Sequence, residues 1–383
     1  MSSAAELEHE LEAVAAETTF SGVVRVDRDG CVEVERAFGE AHRGYGIPNT
    51  PGTRFGIASG TKTLTALVVV SLVEEGVLAL DTPARALLGS DLPLVADEVT
   101  VEHLLSHTSG IGDYLDEETD LDHNDYVMPV PAHELATTES YLPALDGHPT
   151  KFAPGARFGY CNSGYVVLAL IAERAAGREL PDLVAERVCE RAGMVDTGFL
   201  RSDEPDGRTA LGYLSTTGLR TNTLHLPVRG SGDGGAQTTA ADVSALWEAF
   251  FAGRIVSVDG VVSMTTPRSE GAGGEQYGLG FWLVPAKGVV ACEGCDAGVS
   301  FRSTHRRTER FIAELLTCDT LPGRPYVLIA PNDVVSALLA EELDAYIPHS
   351  SERVGQVMSS FRPQPVQTIV PMRLSLWFMV LGI

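Results

Sequence analysis

Lysine, disulfide-ready cysteine and long apolar runs are all scarce in this chain. Of its 28 basic side chains only Lys62, Lys151 and Lys287 are lysines, and 52 carboxylates leave a formal charge of −24. A surface so acidic repels nucleic acid and anionic membranes, so neither is an expected partner. The excess of carboxylates fits either life in high salt or ordinary solubility. Six cysteines in 383 residues do not make a disulfide framework. Cys31, Cys161, Cys189 and Cys318 read as small buried residues. No apolar stretch is long and uninterrupted enough for a membrane span, because the run near the end carries Pro371 and Arg373. The first twenty residues lack both a basic start and an apolar core, which points to a cytoplasmic location. Their Leu7, Leu11, Val14 and Ala15 instead have the spacing of an amphipathic helix.

The length predicts more than one lobe. Phe20–Gly39 alternates valines with polar residues on both sides of Asp29-Gly30 and reads as a hairpin. Thr61–Glu75 is apolar nearly all round, as a buried helix would be. From about 80 to 230 the pattern is mainly helical with long polar loops, and Ser163–Leu180 is a strong helix stopped near Gly177. Ser231–Phe250 is a glycine-rich turn, a Thr/Asp cap and a helix. Strand-like runs follow at Tyr277–Val284, Gly288–Gly294, Phe311–Thr317 and Pro325–Ala330, and Val334–Ile347 reads as a closing helix. The expectation is a mainly antiparallel α/β (α+β) sheet lobe built from residues 1–79 and 231–347. A helical lobe of residues 80–230 is inserted into it, and the tail 348–383 is disordered or atypical.

Lys62 stands three residues after Ser59, where a polar turn meets the buried helix. One helical turn places both side chains on the same side. A serine hydroxyl is a weak nucleophile until a base removes its proton. For lysine to be that base its pKa must fall toward 7, a cost of about 4 kcal/mol. Burial is the usual cause of such a fall. The helix N-terminus also offers the Ser59 N–H and a favourable dipole to an oxyanion. The bland alternative is a serine cap beside an exposed lysine. A second stretch, Tyr160-Cys161-Asn162, precedes a strong helix and supplies a phenol and an amide. By itself it reads better as a buried structural tyrosine. The acidic stretch Asp113–Asp125 reads as an exposed loop and lacks calcium-loop spacing. Cys292-Glu-Gly-Cys295 forms half a zinc site or a redox pair on paper, but no second ligand pair follows at suitable spacing.

Four stretches in order carry a family resemblance: RFGIASGTKTLTAL, LLSHTSGI, FAPGARFGYCNSGY and GGAQTTAADVSAL. Together they resemble the serine β-lactamase-related family of class C β-lactamases, penicillin-binding DD-peptidases and esterases, whose relatives share Ser-x-x-Lys. The resemblance spans residues 20–345 and implies a β-lactamase/transpeptidase-like fold with the site between its lobes. It implies Ser59 as acyl nucleophile, Lys62 as its base and Tyr160 as proton shuttle, with no cofactor or metal. Asn162 would orient the substrate, and His107 would be structural. A third family motif, usually Lys-Thr-Gly or His-x-Gly, is replaced here by Cys292-Glu293-Gly294. The Cys295 N–H would complete the oxyanion hole with that of Ser59. Loss of the basic residue disfavours substrates with a carboxylate, and Glu293 would favour an amine. The resulting expectation is a serine hydrolase for a small ester or amide. The alternative is an eroded binding or sensing protein on the same fold. No sequence feature specifies an oligomeric state.

Overall fold

The computed structural model describes residues 4–118, 125–271, 275–306 and 311–317. The expected strand at 325–330, the closing helix at 334–347, Cys318 and the tail 348–383 lie outside the described residues.

One eight-stranded antiparallel sheet organises the molecule. In chain order its strands are β1 (Gly22–Arg28), β2 (Cys31–Phe38), β3 (Ser269–Glu270), β4 (Gln276–Tyr277), β5 (Trp282–Val284), β6 (Val289–Asp296), β7 (Val299–Arg306) and β8 (Phe311–Thr317). In space they run β2-β1-β8-β7-β6-β5-β4-β3. The N-terminal hairpin therefore pairs directly with the last described strand, from Gly22 opposite Thr317 to Arg28 opposite Phe311. The hairpin turn follows its chemistry: Asp29 and Gly30 both take positive φ, as a two-residue turn between twisted strands requires. The Tyr277–Val284 run is two short strands, because Gly280 adopts a positive φ and turns the chain between them.

Helix α1 (Ala4–Thr18) lays Leu7, Leu11 and Ala15 on the hairpin, where the first two cluster with Val24, Val26 and Val34. Helix α2 (Thr61–Glu74) is rich in β-branched residues, which are modest helix formers. Burial overrides that propensity, since all twelve residues from Thr61 to Leu72 are buried. Its three threonines fix its start. Thr63 Oγ1 donates to the Gly280 carbonyl, Thr65 Oγ1 donates to the Gly232 carbonyl, and Thr61 Oγ1 accepts from the Ala236 N–H.

The stretch from 80 to 230 supplies α3 (Val101–Leu105), the long α4 (Asn162–Ala176) and other short helices joined by loops. α4 packs against α2 in the main core and stops at Gly177, which has φ +67°. Helix α5 (Ala240–Phe251) is capped by Thr239, whose side chain accepts from the Asp242 N–H. Cys31 departs from expectation: it sits at the hairpin turn and is exposed, whereas Cys161 and Cys189 are buried.

Candidate active site

Ser59 lies in a single 3₁₀ turn, Ala58–Gly60, that runs straight into α2. Ala58 has φ +44°, a conformation alanine rarely adopts. Such strain persists only where the surroundings enforce it. Here β6 and β7 do so. A Cβ on Gly294 would lie 2.2 Å from the Ile57 carbonyl oxygen and 2.5 Å from the Ser59 nitrogen, and a Cβ on Gly60 would lie 2.5 Å from the Phe301 ring. Two glycines thus let the Ser59 turn settle directly onto the sheet.

Lys62 is 2% exposed and its Nζ has three oxygen neighbours. They are Ser59 Oγ at 2.9 Å, Asn162 Oδ1 at 2.7 Å and the Asp233 carbonyl at 2.8 Å. Burial lowers the lysine pKa, against the opposing pull of Asp233, Glu117 and Asp113. The amide and carbonyl oxygens carry no proton, so both must receive N–H bonds. A neutral amine has two such bonds to give, and its lone pair is left facing the serine hydroxyl.

Tyr160 is half-buried beside this pair, with Lys62 Nζ 5.0 Å from its ring centre. Burial holds its phenol protonated well above the usual range, and a hydrogen bond with Ser59 partly offsets this. Its ring lies between His107, 4.3 Å away, and the stacked Trp282, 6.1 Å away.

Asn162 opens α4. Its backbone N–H and that of Ser163 donate to the Asp113 carboxylate at 2.7 and 2.9 Å. Asp113 is itself buried, which raises its pKa to about 6. The Asn162 amide nitrogen donates to the Leu115 carbonyl and to Glu117 Oε1, both at 2.9 Å. All of the amide's polar atoms are therefore engaged within the protein, with its oxygen on Lys62. The segment expected to be an exposed loop instead turns inward at its start: Asp113 and Tyr114 are buried, and Tyr114 donates to Asp233 Oδ2. Two apolar neighbours, Ile111 and Leu115, pull this end into the core. Residues 119–124 of that stretch lie outside the described residues.

Glu293, Gly294 and Cys295 all lie on β6. Glu293 stands opposite Arg302 on β7 and pairs with it at 3.7 Å. Its expected role toward a substrate amine is therefore shared with a resident cation. Burial raises its pKa, Arg302 lowers it, and Glu117 adds to the rise. Neither Cys292 nor Cys295 is in a disulfide. They are three residues apart in an unbroken register, so their side chains leave opposite faces of the strand. Cys292 packs into the core, while Cys295 borders the cavity and its thiol is pushed up to about 12 by burial. That geometry does not make a redox pair. Among the described residues, no group of three His, Cys, Asp or Glu side chains is placed to hold a metal ion.

The cavity in front of Ser59 measures about 120 Å³. Its lining includes the acidic residues Glu117, Asp233 and Asp296 and the apolar Leu200, Leu211 and Leu226. Arg201 also reaches it but is paired with Asp203 at 2.8 Å. Sequence reasoning missed Glu117 and the Asp233 carbonyl. No motif marks Glu117, and Asp233 acts through its backbone, which any residue would supply.

Comparison with known proteins bears on the family and the fold. The beta-lactamase family model matches residues 7–307. A crystal structure of a penicillin binding protein from Bacillus halodurans superposes with a TM-score of 0.79 at 34% identity, over 86% of this chain and 99% of that one. Esterase EstB of Burkholderia gladioli is 38% identical over 197 residues, 50% of this chain and 49% of the esterase. A D-aminopeptidase of Brucella anthropi is 31% identical over 238 residues, 60% of this chain and 42% of that enzyme. The chain thus spans about half the length of these two curated relatives or less.

Proposed function

The chain belongs to the beta-lactamase family, and on that premise we propose that it is a serine hydrolase that splits an ester or amide through an acyl-Ser59 intermediate. The observation that carries the reading is the 2.9 Å contact between Lys62 Nζ and Ser59 Oγ, with both remaining Lys62 neighbours obliged to accept. Ser59 Oγ attacks the substrate carbonyl as its proton passes to the Lys62 lone pair. The Ser59 and Cys295 N–H groups stabilise the oxyanion. The Tyr160 phenol delivers a proton to the departing alkoxide or amine and recovers it from Lys62, and the C–O or C–N bond breaks. Water then repeats the sequence against the acyl-serine, releasing the acid. A non-catalytic binder on this fold would have no use for a desolvated lysine, whose burial is costly.

Substrate charge follows from the cavity. The family's third motif has Cys292 where a basic side chain is usual, and Glu117, Asp233 and Asp296 are among the residues that line the cavity. We propose a neutral or amine-bearing ester or amide as substrate, and two relatives are named an esterase and a D-aminopeptidase. Initial rates on esters that share one acyl group but carry a cationic, neutral or anionic substituent test this. The expected order in kcat/KM is cationic or neutral first, with the anionic ester at least about tenfold lower, a difference of one pKa-sized electrostatic increment. A preference for the anionic ester would overturn the charge assignment.

A further inference from the structure

His107 lies outside the reacting groups, yet it makes hydrogen bonds to both residues that flank Tyr160. Its carbonyl accepts from the Gly159 N–H at 2.8 Å, and its Nδ1 accepts from the Cys161 N–H at 3.1 Å. A single residue can direct its carbonyl and its ring at one neighbouring segment in this way because its backbone is left-handed, with φ +56°. That conformation is uncommon for histidine and persists only under local constraint. Thr108 and Gly110 continue the ladder, accepting from Gly155 and Lys151 at 2.8 Å each, so the whole turn is a template for the loop that delivers the phenol.

The ring itself is held on several sides. Its centre is 4.3 Å from that of Tyr160, 4.7 Å from Tyr277 and 5.0 Å from Tyr165. His107 is 1% exposed, and Nε2 has no hydrogen-bond partner. Because Nδ1 accepts, the single proton of the neutral ring sits on Nε2. Burial keeps the imidazole neutral by lowering its pKa well below the ordinary value. A charged ring would have a proton on Nδ1 and lose the bond to Cys161.

We infer that His107 is a positioning residue for Tyr160, acting through the paired hydrogen bonds to Gly159 and Cys161. The inference rests on the acyl-serine reading above. Only the side-chain bond can be removed by mutation, and that bond fixes the peptide between Tyr160 and Cys161, and with it the direction of the phenol. A misplacement of about 1 Å at a proton-transfer group costs on the order of a hundredfold in rate.

The test is a double-mutant cycle in ester hydrolysis, with melting temperature measured for every variant. H107F keeps an aromatic ring and loses the acceptor. H107N keeps an acceptor oxygen near the Nδ1 position and loses the ring. The expected result is a kcat about 10- to 100-fold lower for H107F, KM within about threefold of wild type, and H107N within about fivefold of wild type. In a Y160F background the H107F change should cost less than about threefold, because the group it positions is gone. An undiminished H107F effect in that background overturns the inference, as does a folded H107N as slow as H107F or a full rate in H107F. Should H107F not fold, H107Q, whose acceptor lies one atom further out, takes its place in the same cycle. Fluorophosphonate labelling of the wild type tests the acyl-serine reading separately. Labelling with an additive cycle overturns only the positioning role, whereas no labelling and no hydrolysis overturn the reading and the inference together.

Discussion

Lys62 is held by three oxygens, and the identity of each decides what its amine does. Asn162 Oδ1 and the Asp233 carbonyl can only accept, while Ser59 Oγ can also donate. The amine works as a base only when neutral. Burial lowers its pKa, so the neutral form appears at lower pH than for a lysine in water. The sign follows: acylation should rise with pH as Lys62 loses its proton, with a midpoint below the ordinary lysine range. K62M should lower kcat by about 10³ and flatten that limb. A rising limb unchanged in K62M would assign the titration to another group. At this scale the sequence was informative where side chains carry the proposed chemistry. Ser59, Lys62 and Tyr160 are adjacent in space as their motifs imply. Glu117, by contrast, reaches Asn162 from a loop whose inward turn depends on tertiary packing, and the sequence read that loop as exposed.

The elements matter through how closely they approach. β6 lies against the Ser59 turn only because Gly294 has no side chain there. G294A should push the strand from Ser59 and separate the two expected oxyanion donors. The expected loss in kcat is about 10² or more, the cost of one oxyanion donor. Overpacking should also take about 1–3 kcal/mol of stability, seen as a melting temperature lower by several degrees. Near-wild-type turnover in G294A would mean that β6 does not supply the second donor. The hairpin, α2, α4 and α5 were legible because turn chemistry, burial and capping all point one way: Asp29-Gly30, the apolar Thr61–Leu72 and Thr239 each agree with what the backbone does. The single strand expected over Tyr277–Val284 failed because Gly280 turns the chain. That turn is where Thr63 of α2 docks, a contact no local pattern encodes.

For the whole molecule, the N-terminal hairpin and the C-terminal strands close one sheet, and the segments between them carry Tyr160, Asn162 and Asp233 to Lys62. The sequence order of strands, helices and strands foretold that closure, since a sheet fed from both ends is the simplest way to bury both apolar sets. It did not foretell that Glu117, Asp233 and Asp296 line one cavity, because net charge says nothing of where charges gather. The central claim is that this assembled molecule has one activated serine. Intact-protein mass after incubation with a fluorophosphonate tests it most directly. A single adduct on the wild type and none on S59A is the expected result. An unmodified wild type, or an adduct that persists in S59A, would contradict it.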